Sequence, residues 1–430
     1  MKEIRNDFYN ESIFKETLDN GLTVYLMSKK GYSQYSAIFM TNYGSFDTTF
    51  TPIDEDRFIT TPEGIAHFLE HKMFETPSGG DVNDLFSNMG VEANAYTSYD
   101  RTAYTIFGTG NANEAVELLI DFVQTPSFSK ESIEKERSII EQELLMYLDN
   151  AKTVSKVRFL KSLYGEDDKI AKEIGGTVES IKEIDKDILM KCYNTFYHPA
   201  NMTLVVVGGF DKDELIDMIR LNQSNKTFAK SKEIKKPITK YVMQKEEVIE
   251  KSYFNIDCPI VTVGFKFEYI NEDETLVSKK AFAYDFLFDL YFSGFSTFTE
   301  KLRKNGLGEI DPIYSVTYYS GYGFFSISAT TNKYQEFTNL VKSTLDEVIL
   351  SEVNSEKVKS IKRGIHTNNI KRFNSVQGLC NDLAELHFKN LDLFESIEVP
   401  NQVTLEDIKL AQESLKDYKL CIHLMLPNNE

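Results

Sequence analysis

His67 and His71 stand four positions apart in the stretch His67-Phe68-Leu69-Glu70-His71, and the chain has only six histidines. On a helix, positions i and i+4 share a face, so both imidazoles can reach one metal ion. Glu70 projects beside them, where it can hold a water bound at that ion and take its proton. A histidine pair with a carboxylate suits Zn2+, with one coordination position left open for water. At such a site the water's pKa falls to about 7, and the adjacent carboxylate makes it an attacking nucleophile. The order HxxEH is the inverted form of the HExxH zinc motif.

A site of this kind needs a third protein ligand. Glu143 is the candidate, on the stretch IEKERSIIEQELLMYL at 133–148. Glu136 precedes it by two helical turns on the same face, where its carboxylate can orient a liganding histidine from outside the coordination sphere. Glu131, Glu134 and Glu141 read as solvated positions of the same helix.

The elements that must position these groups are readable around them. Thr61 and Pro62 suit the cap and first position of a helix that buries Ile65, Phe68, Leu69 and Phe74. Strands are expected at Leu22–Met27, Tyr35–Met40, Val91–Tyr99, Thr102–Gly108 and Asn201–Val207. Amphipathic helices are expected near Asn113–Gln124 and Lys130–Leu148, and Asp211 caps another. Residues 226–248 are lysine-rich and polar and read as a linker between a domain at 1–225 and a second at 249–430. The pattern then restarts with strand Val261–Phe267, helix Leu276–Phe292, strands over Ile313–Thr330 and two helices from Lys333. IEKERSII at 133–140 is similar to SEKVKSIK at 355–362, which suggests an internal repeat. The aromatic run at 318–325 reads as strand core, and His198 as a structural residue. The expected fold class is α+β: two similar αβ domains, each a mainly antiparallel sheet with helices packed on it.

Together, the HxxEH motif and a distal helix with two glutamates seven apart resemble the insulinase (pitrilysin) family of zinc metallopeptidases, the inverzincins. The stretch from Gly90 to Thr97 is similar to the family's substrate-binding edge strand, and Gly176–Ile181 and Tyr197–Met202 are similar to further family segments. The likeness is closest to bacterial short-chain members that work in pairs and to the catalytic subunit of the mitochondrial processing peptidase. It implies that His67, His71 and Glu143 hold Zn2+, that Glu70 is the catalytic base, that Glu136 supports the site, and that Asn94 and Ala95 bind substrate backbone. Strand addition to a sheet edge reads extension more than side-chain identity. The resemblance also implies an Arg and a Tyr, seven apart, that stabilise the oxyanion. Here Arg303 is followed at 310 by Ile, and Tyr314 is the nearest alternative. The electrophilic half is therefore expected from a homologous subunit in a heterodimer; a homodimer using Arg303 and Tyr314 is the rival. The substrates implied are peptides or small unfolded polypeptides, including leader or signalling peptides. The alternative is a non-catalytic structural subunit of a paired assembly.

Composition narrows the setting. The 430 residues carry 66 acidic and 48 basic groups, a formal charge of −18, which argues against a nucleic-acid partner. The four cysteines, Cys192, Cys258, Cys380 and Cys421, are far apart and fit reduced thiols rather than a disulfide scaffold. The charged start MKEIRNDFYNESIF does not read as a secretory signal, and no apolar run is long enough for a membrane helix, so no membrane partner and a cytoplasmic location are expected.

Overall fold

The computed structural model describes residues 1–76, 79–237, 244–294 and 296–428. Its strands in chain order are β1 (Lys2–Asn6), β2 (Glu11–Thr17), β3 (Thr23–Ser28), β4 (Gln34–Thr41), β5 (Thr49–Phe50), β6 (Ile59–Thr60), β7 (Glu92–Thr97), β8 (Thr102–Thr109) and β9 (Met202–Gly208), then β10 (Val248–Phe254), β11 (Ile260–Lys266), β12 (Ile313–Tyr319), β13 (Tyr322–Thr330) and β14 (Cys421–Pro427). The helices of the first half are α1 (Ile65–Met73), α2 (Val82–Asn88), α3 (Ala112–Val123), α4 (Lys130–Leu148), α5 (Ala151–Tyr164), α6 (Val178–Lys182), α7 (Lys186–Phe196) and α8 (Lys212–Ser224). Those of the second half are α9 (Glu274–Phe292), α10 (Thr297–Lys304), α11 (Tyr334–Leu350), α12 (Ser355–Arg372), α13 (Val376–Phe388), α14 (Leu393–Gln402) and α15 (Leu405–Ser414).

Two sheets organise the chain, each in its own unit. The seven-stranded sheet runs β1-β2-β3-β9-β4-β8-β7, and the five-stranded sheet runs β10-β14-β11-β13-β12. From β3 onward the first has the same strand order as the second: first, last, second, fourth, third. In both, the first and last strands pair parallel and the other neighbours antiparallel. The fold is therefore α+β with two similar mainly antiparallel domains. The two similar stretches, IEKERSII and SEKVKSIK, lie on α4 and α12, each the second helix after a hairpin.

The compact units are not contiguous in sequence. Unit 1 comprises Met1–Leu145, Glu173–Pro237 and Ile370–Phe394; unit 2 comprises Met146–Lys172, Ile238–Asn369 and Glu395–Glu430. So α5, which follows α4, packs on β11 and β14, while its counterpart α13 packs on β4 and β9. The division at 226–248 keeps each repeat whole, whereas the packing exchanges one helix each way. Of the expected linker, residues 238–243 lie outside the described residues; the part before them runs along unit 1, where Lys226 Nζ contacts Asp121 Oδ1 at 2.7 Å and Lys236 Nζ contacts Asp47 Oδ1 at 2.8 Å.

Burial follows strand alternation. Tyr35, Ala37 and Phe39 of β4 join one core with Val116, Leu119 and Ile120 of α3. The intervening face looks to α13, whose Cys380 Sγ donates to the carbonyls of Ser36 and Val205. With both faces covered, the continuous run MTLVVVG of β9 is buried throughout. In unit 2, Tyr318, Tyr322, Phe324 and Phe325 are buried, as strand core should be; the Tyr319 side chain is outside the description. Among the described residues, no helix is long and apolar enough to cross a membrane.

Candidate metal centre

The helix that carries His67, Glu70 and His71 begins at Ile65, not at Pro62. Thr61 is not its cap: the Thr61 hydroxyl donates to the Thr48 carbonyl at 3.1 Å. Gly64 takes the N-cap position instead, with a left-handed φ of 86° that costs glycine no steric strain. A Cβ there would meet the Gly175 carbonyl oxygen at 2.2 Å, and one on Gly176 would meet the Glu63 oxygen at 2.5 Å. Ser180 Oγ also donates to the Glu63 carbonyl, at 2.8 Å. The Gly175–Gly176 turn thus fixes where α1 enters. Ile65, Phe68, Leu69 and Met73 anchor the helix in the core, while Phe74 is partly buried against it. Lys72 is fully buried, with its ammonium held by Ser132 Oγ at 2.8 Å and by Glu75, so it ties α1 to the start of α4.

On α4, Ile133, Ile140 and Leu144 form the buried stripe. Glu136 and Glu143 each follow a stripe isoleucine by three residues, which turns both carboxylates toward α1. Arg137 locks the helix by donating to the Ile181 and Ile184 carbonyls at 3.1 and 2.7 Å.

The result is a convergence of side chains from two helices. The ligand atoms of His67, His71 and Glu143 all lie within 4.8 Å of one another, and among the described residues this is the one such cluster of three or more metal-binding side chains. Glu143 Oε2 lies 3.4 Å from His71 Nε2 and 3.7 Å from His67 Nε2, too far for good hydrogen bonds. That oxygen is buried with no hydrogen-bond partner, and so is His67 Nδ1. Donors on a tetrahedral ion with bonds of about 2.0–2.1 Å sit about 3.3 Å apart, so the orphaned oxygen and two ring nitrogens fit Zn2+. His71 Nδ1 meets Glu136 Oε1 at 3.0 Å, which puts the proton on Nδ1 and frees the Nε2 lone pair toward Glu143.

Electrostatics agree with that assignment. Burial, reinforced by the neighbouring His71, pushes the His67 pKa down to about 4, which favours the neutral, metal-binding form. Burial also opposes charge on His71, but the Glu136 hydrogen bond and the surrounding carboxylates outweigh it and raise its pKa. Glu70 is buried, and burial raises its pKa, partly offset by Thr97 Oγ1, which donates to Glu70 Oε2 at 2.6 Å. A carboxylate raised in this way is a better proton acceptor near neutral pH.

Thr97 is a site residue that sequence reasoning missed; only its place two positions after Ala95 pointed to it. It lies on β7, at the end of the seven-stranded sheet. Ala93, Ala95 and Thr97 share the face toward α1, and the Ala95 N–H is taken up by Asn94 Oδ1 at 2.9 Å. Arg303 and Tyr314 belong to unit 2. Arg303 is exposed on α10; Tyr314 is half-buried and its hydroxyl donates to Asp289. Ile310 is buried in that unit's core. His198 is structural, accepting from the Ala200 N–H at 3.1 Å and contacting the Ala229 carbonyl at 2.8 Å.

The family described as Insulinase (Peptidase family M16) matches residues 60–175, which include His67, Glu70, His71, Glu136 and Glu143. Peptidase M16 inactive domain matches residues 183–365. A Bacillus subtilis (strain 168) protein named uncharacterized zinc protease YmfH is 35% identical over the full length of both chains. Human mitochondrial-processing peptidase subunit beta is 31% identical over 163 residues, 37% of this chain and 33% of that one. A solved M16-like protein from Alicyclobacillus acidocaldarius superposes with a TM-score of 0.89 at 29% identity, covering 99% of this chain and all of the other. With a full-length relative at this identity and both halves matched, the chain belongs to the insulinase family of M16 peptidases.

Proposed function

We propose that the chain is a zinc-dependent endopeptidase subunit that cleaves peptides or small unfolded polypeptides bound as an added strand along β7. The observation that carries this reading is the convergence of His67, His71 and Glu143 around an orphaned carboxylate oxygen, with Glu70 beside them. Zinc held by those three residues supplies a Lewis acid for the scissile carbonyl and lowers the pKa of water. Glu70 takes the proton of the attacking water and passes it to the leaving amine, held in position by Thr97. The outer edge of β7 offers backbone groups to an extended chain, with Asn94 Oδ1 occupying the Ala95 N–H until a substrate carbonyl replaces it. Glu136 holds the His71 ring. The four free cysteines fit a cytoplasmic setting.

The alternative, a non-catalytic structural subunit, is less favoured. The inactive-domain match covers 183–365, while every metal-centre residue lies within 60–175. A role in maturing a leader or signalling peptide is one form of the same activity.

The reading includes a homologous partner. Position 310 is Ile, and the Tyr314 hydroxyl is already engaged by Asp289. The human relative is itself named a subunit. The lone chain is therefore expected to cleave an extended, unstructured peptide about 10²–10³-fold more slowly than the chain mixed with a homologous subunit, the cost of one missing oxyanion donor. Cleavage in both cases should stop with a chelator and return with Zn2+. Chelator-resistant cleavage would overturn the zinc reading. Full activity of the lone chain, unchanged in an Arg303→Ala, Tyr314→Phe double variant, would overturn the heteromeric one; loss of that activity in the double variant would favour the homodimer.

A further inference from the structure

We propose that a cavity beneath β7, on the side of the sheet away from Glu70, is a selectivity subsite for a lysine or arginine side chain of the bound peptide. The inference rests on the proposed addition of substrate to β7. Side chains of β7 alternate between faces: Ala93, Ala95 and Thr97 toward α1, and Glu92, Asn94 and Tyr96 toward α13. Two contacts fix that parity, Thr97 Oγ1 to Glu70 Oε2 at 2.6 Å on one face and Tyr96 Oη to Asn381 Oδ1 at 2.6 Å on the other. A strand hydrogen-bonded to β7 continues the pleat, so its own side chains alternate in the same way. Every second residue of the peptide therefore projects toward the α13 face.

On that face lies a cavity of about 220 Å³, lined among others by Glu92, Asn94, Ile38, Phe107, Gln377 and Asn381. It is smaller than the ~300–1,000 Å³ typical of small-molecule sites, a size suited to one long side chain. Its floor is the Ile38 side chain at 1% exposure, the half-buried Phe107 ring and the Cys380 thiol, between the Ser36 and Thr105 hydroxyls, which donate to the Ile106 and Asn94 carbonyls. Its rim is polar: the amides of Gln377 and Asn381, and one charge, the exposed carboxylate of Glu92. Glu92 makes no ion pair among the described residues, whereas Asp382 on α13 is already paired with Arg372. A largely apolar floor under a free carboxylate fits a side chain with an apolar stem and a cationic head. An acidic side chain would meet Glu92 as a like charge, and a short one would leave the floor uncovered.

The test measures binding, using a zinc-loaded Glu70→Gln chain that holds peptides without turning them over. A fluorescent extended peptide carries lysine, norleucine or glutamate at one position, moved along the sequence one residue at a time. Lysine is expected to bind about three- to fivefold tighter than norleucine at alternate positions only, the size of a partly exposed ion pair. Glutamate should bind more weakly than either. Adding Glu92→Gln should remove the preference, and Glu92→Lys should reverse it; Glu92 is exposed, so neither disturbs the core. A further Ala95→Pro change removes an edge N–H and should weaken binding of every peptide alike. Equal binding of the three peptides at every position, or a lysine preference that survives Glu92→Lys, overturns the subsite while leaving strand addition intact. Binding indifferent to Ala95→Pro overturns strand addition itself, and the subsite with it.

Discussion

Glu70→Gln is expected to retain zinc and lose peptide hydrolysis by about 10²–10⁴-fold, the span that a positioned general base contributes. Glutamine keeps the shape of glutamate, and its amide oxygen can still accept from Thr97 Oγ1, which lies 2.6 Å from Glu70 Oε2. Position and packing are therefore preserved, and what disappears is the capacity to take a proton from water and return it to the leaving amine. Glu70 is also not among the three side chains that converge as ligands, so zinc content should stay at the wild-type level. Steady-state cleavage with zinc measured on the same sample checks both halves. Near wild-type cleavage would remove Glu70 as the base; loss of zinc would make it a ligand.

The second large effect concerns the ligands. His71→Ala and Glu143→Ala each delete one of three donors, and cleavage should fall to background because zinc no longer stays bound. Glu136→Gln should be milder. It loses the carboxylate that holds His71 Nδ1 at 3.0 Å but leaves all three donors in place. Outer partners of this kind are worth about 10–100-fold in metal affinity. Zinc titration followed by thermal unfolding separates the cases, because an ion that binds only the folded chain raises its melting temperature. The rise should be large in wild type, need more zinc in Glu136→Gln, and be absent in the two alanine variants. A wild-type rise in Glu143→Ala would exclude Glu143 from the site.

Much of this centre is legible in the sequence because its geometry is local. The four-residue spacing of His67 and His71 and the seven-residue spacing of Glu136 and Glu143 are set by the helical repeat alone, and the expected helix Lys130–Leu148 matches α4 in both bounds. Strand periodicity likewise located β4, β8 and β9 to within a residue or two. What escaped depends on contacts far apart in the chain. The start of α1 is set by Gly64 against Gly175, so the local cap signal at Thr61 pointed to the wrong residue. The exchange of α5 and α13 between sheets leaves no mark in either helix's periodicity. β1 and β2 are mostly exposed or half-buried, with little apolar alternation to announce them. Lys72 offered no signal either; a lysine next to a liganding histidine reads as solvated, yet it is fully buried against Ser132.

The most direct test of the metal centre is zinc-edge anomalous scattering from crystals of the wild-type chain grown without chelator. The expected result is one strong peak within about 2.0–2.2 Å of His67 Nε2, His71 Nε2 and a Glu143 carboxylate oxygen, with His71 Nδ1 still on Glu136. A map with no peak among those three side chains, or with zinc held by other residues, would contradict the account.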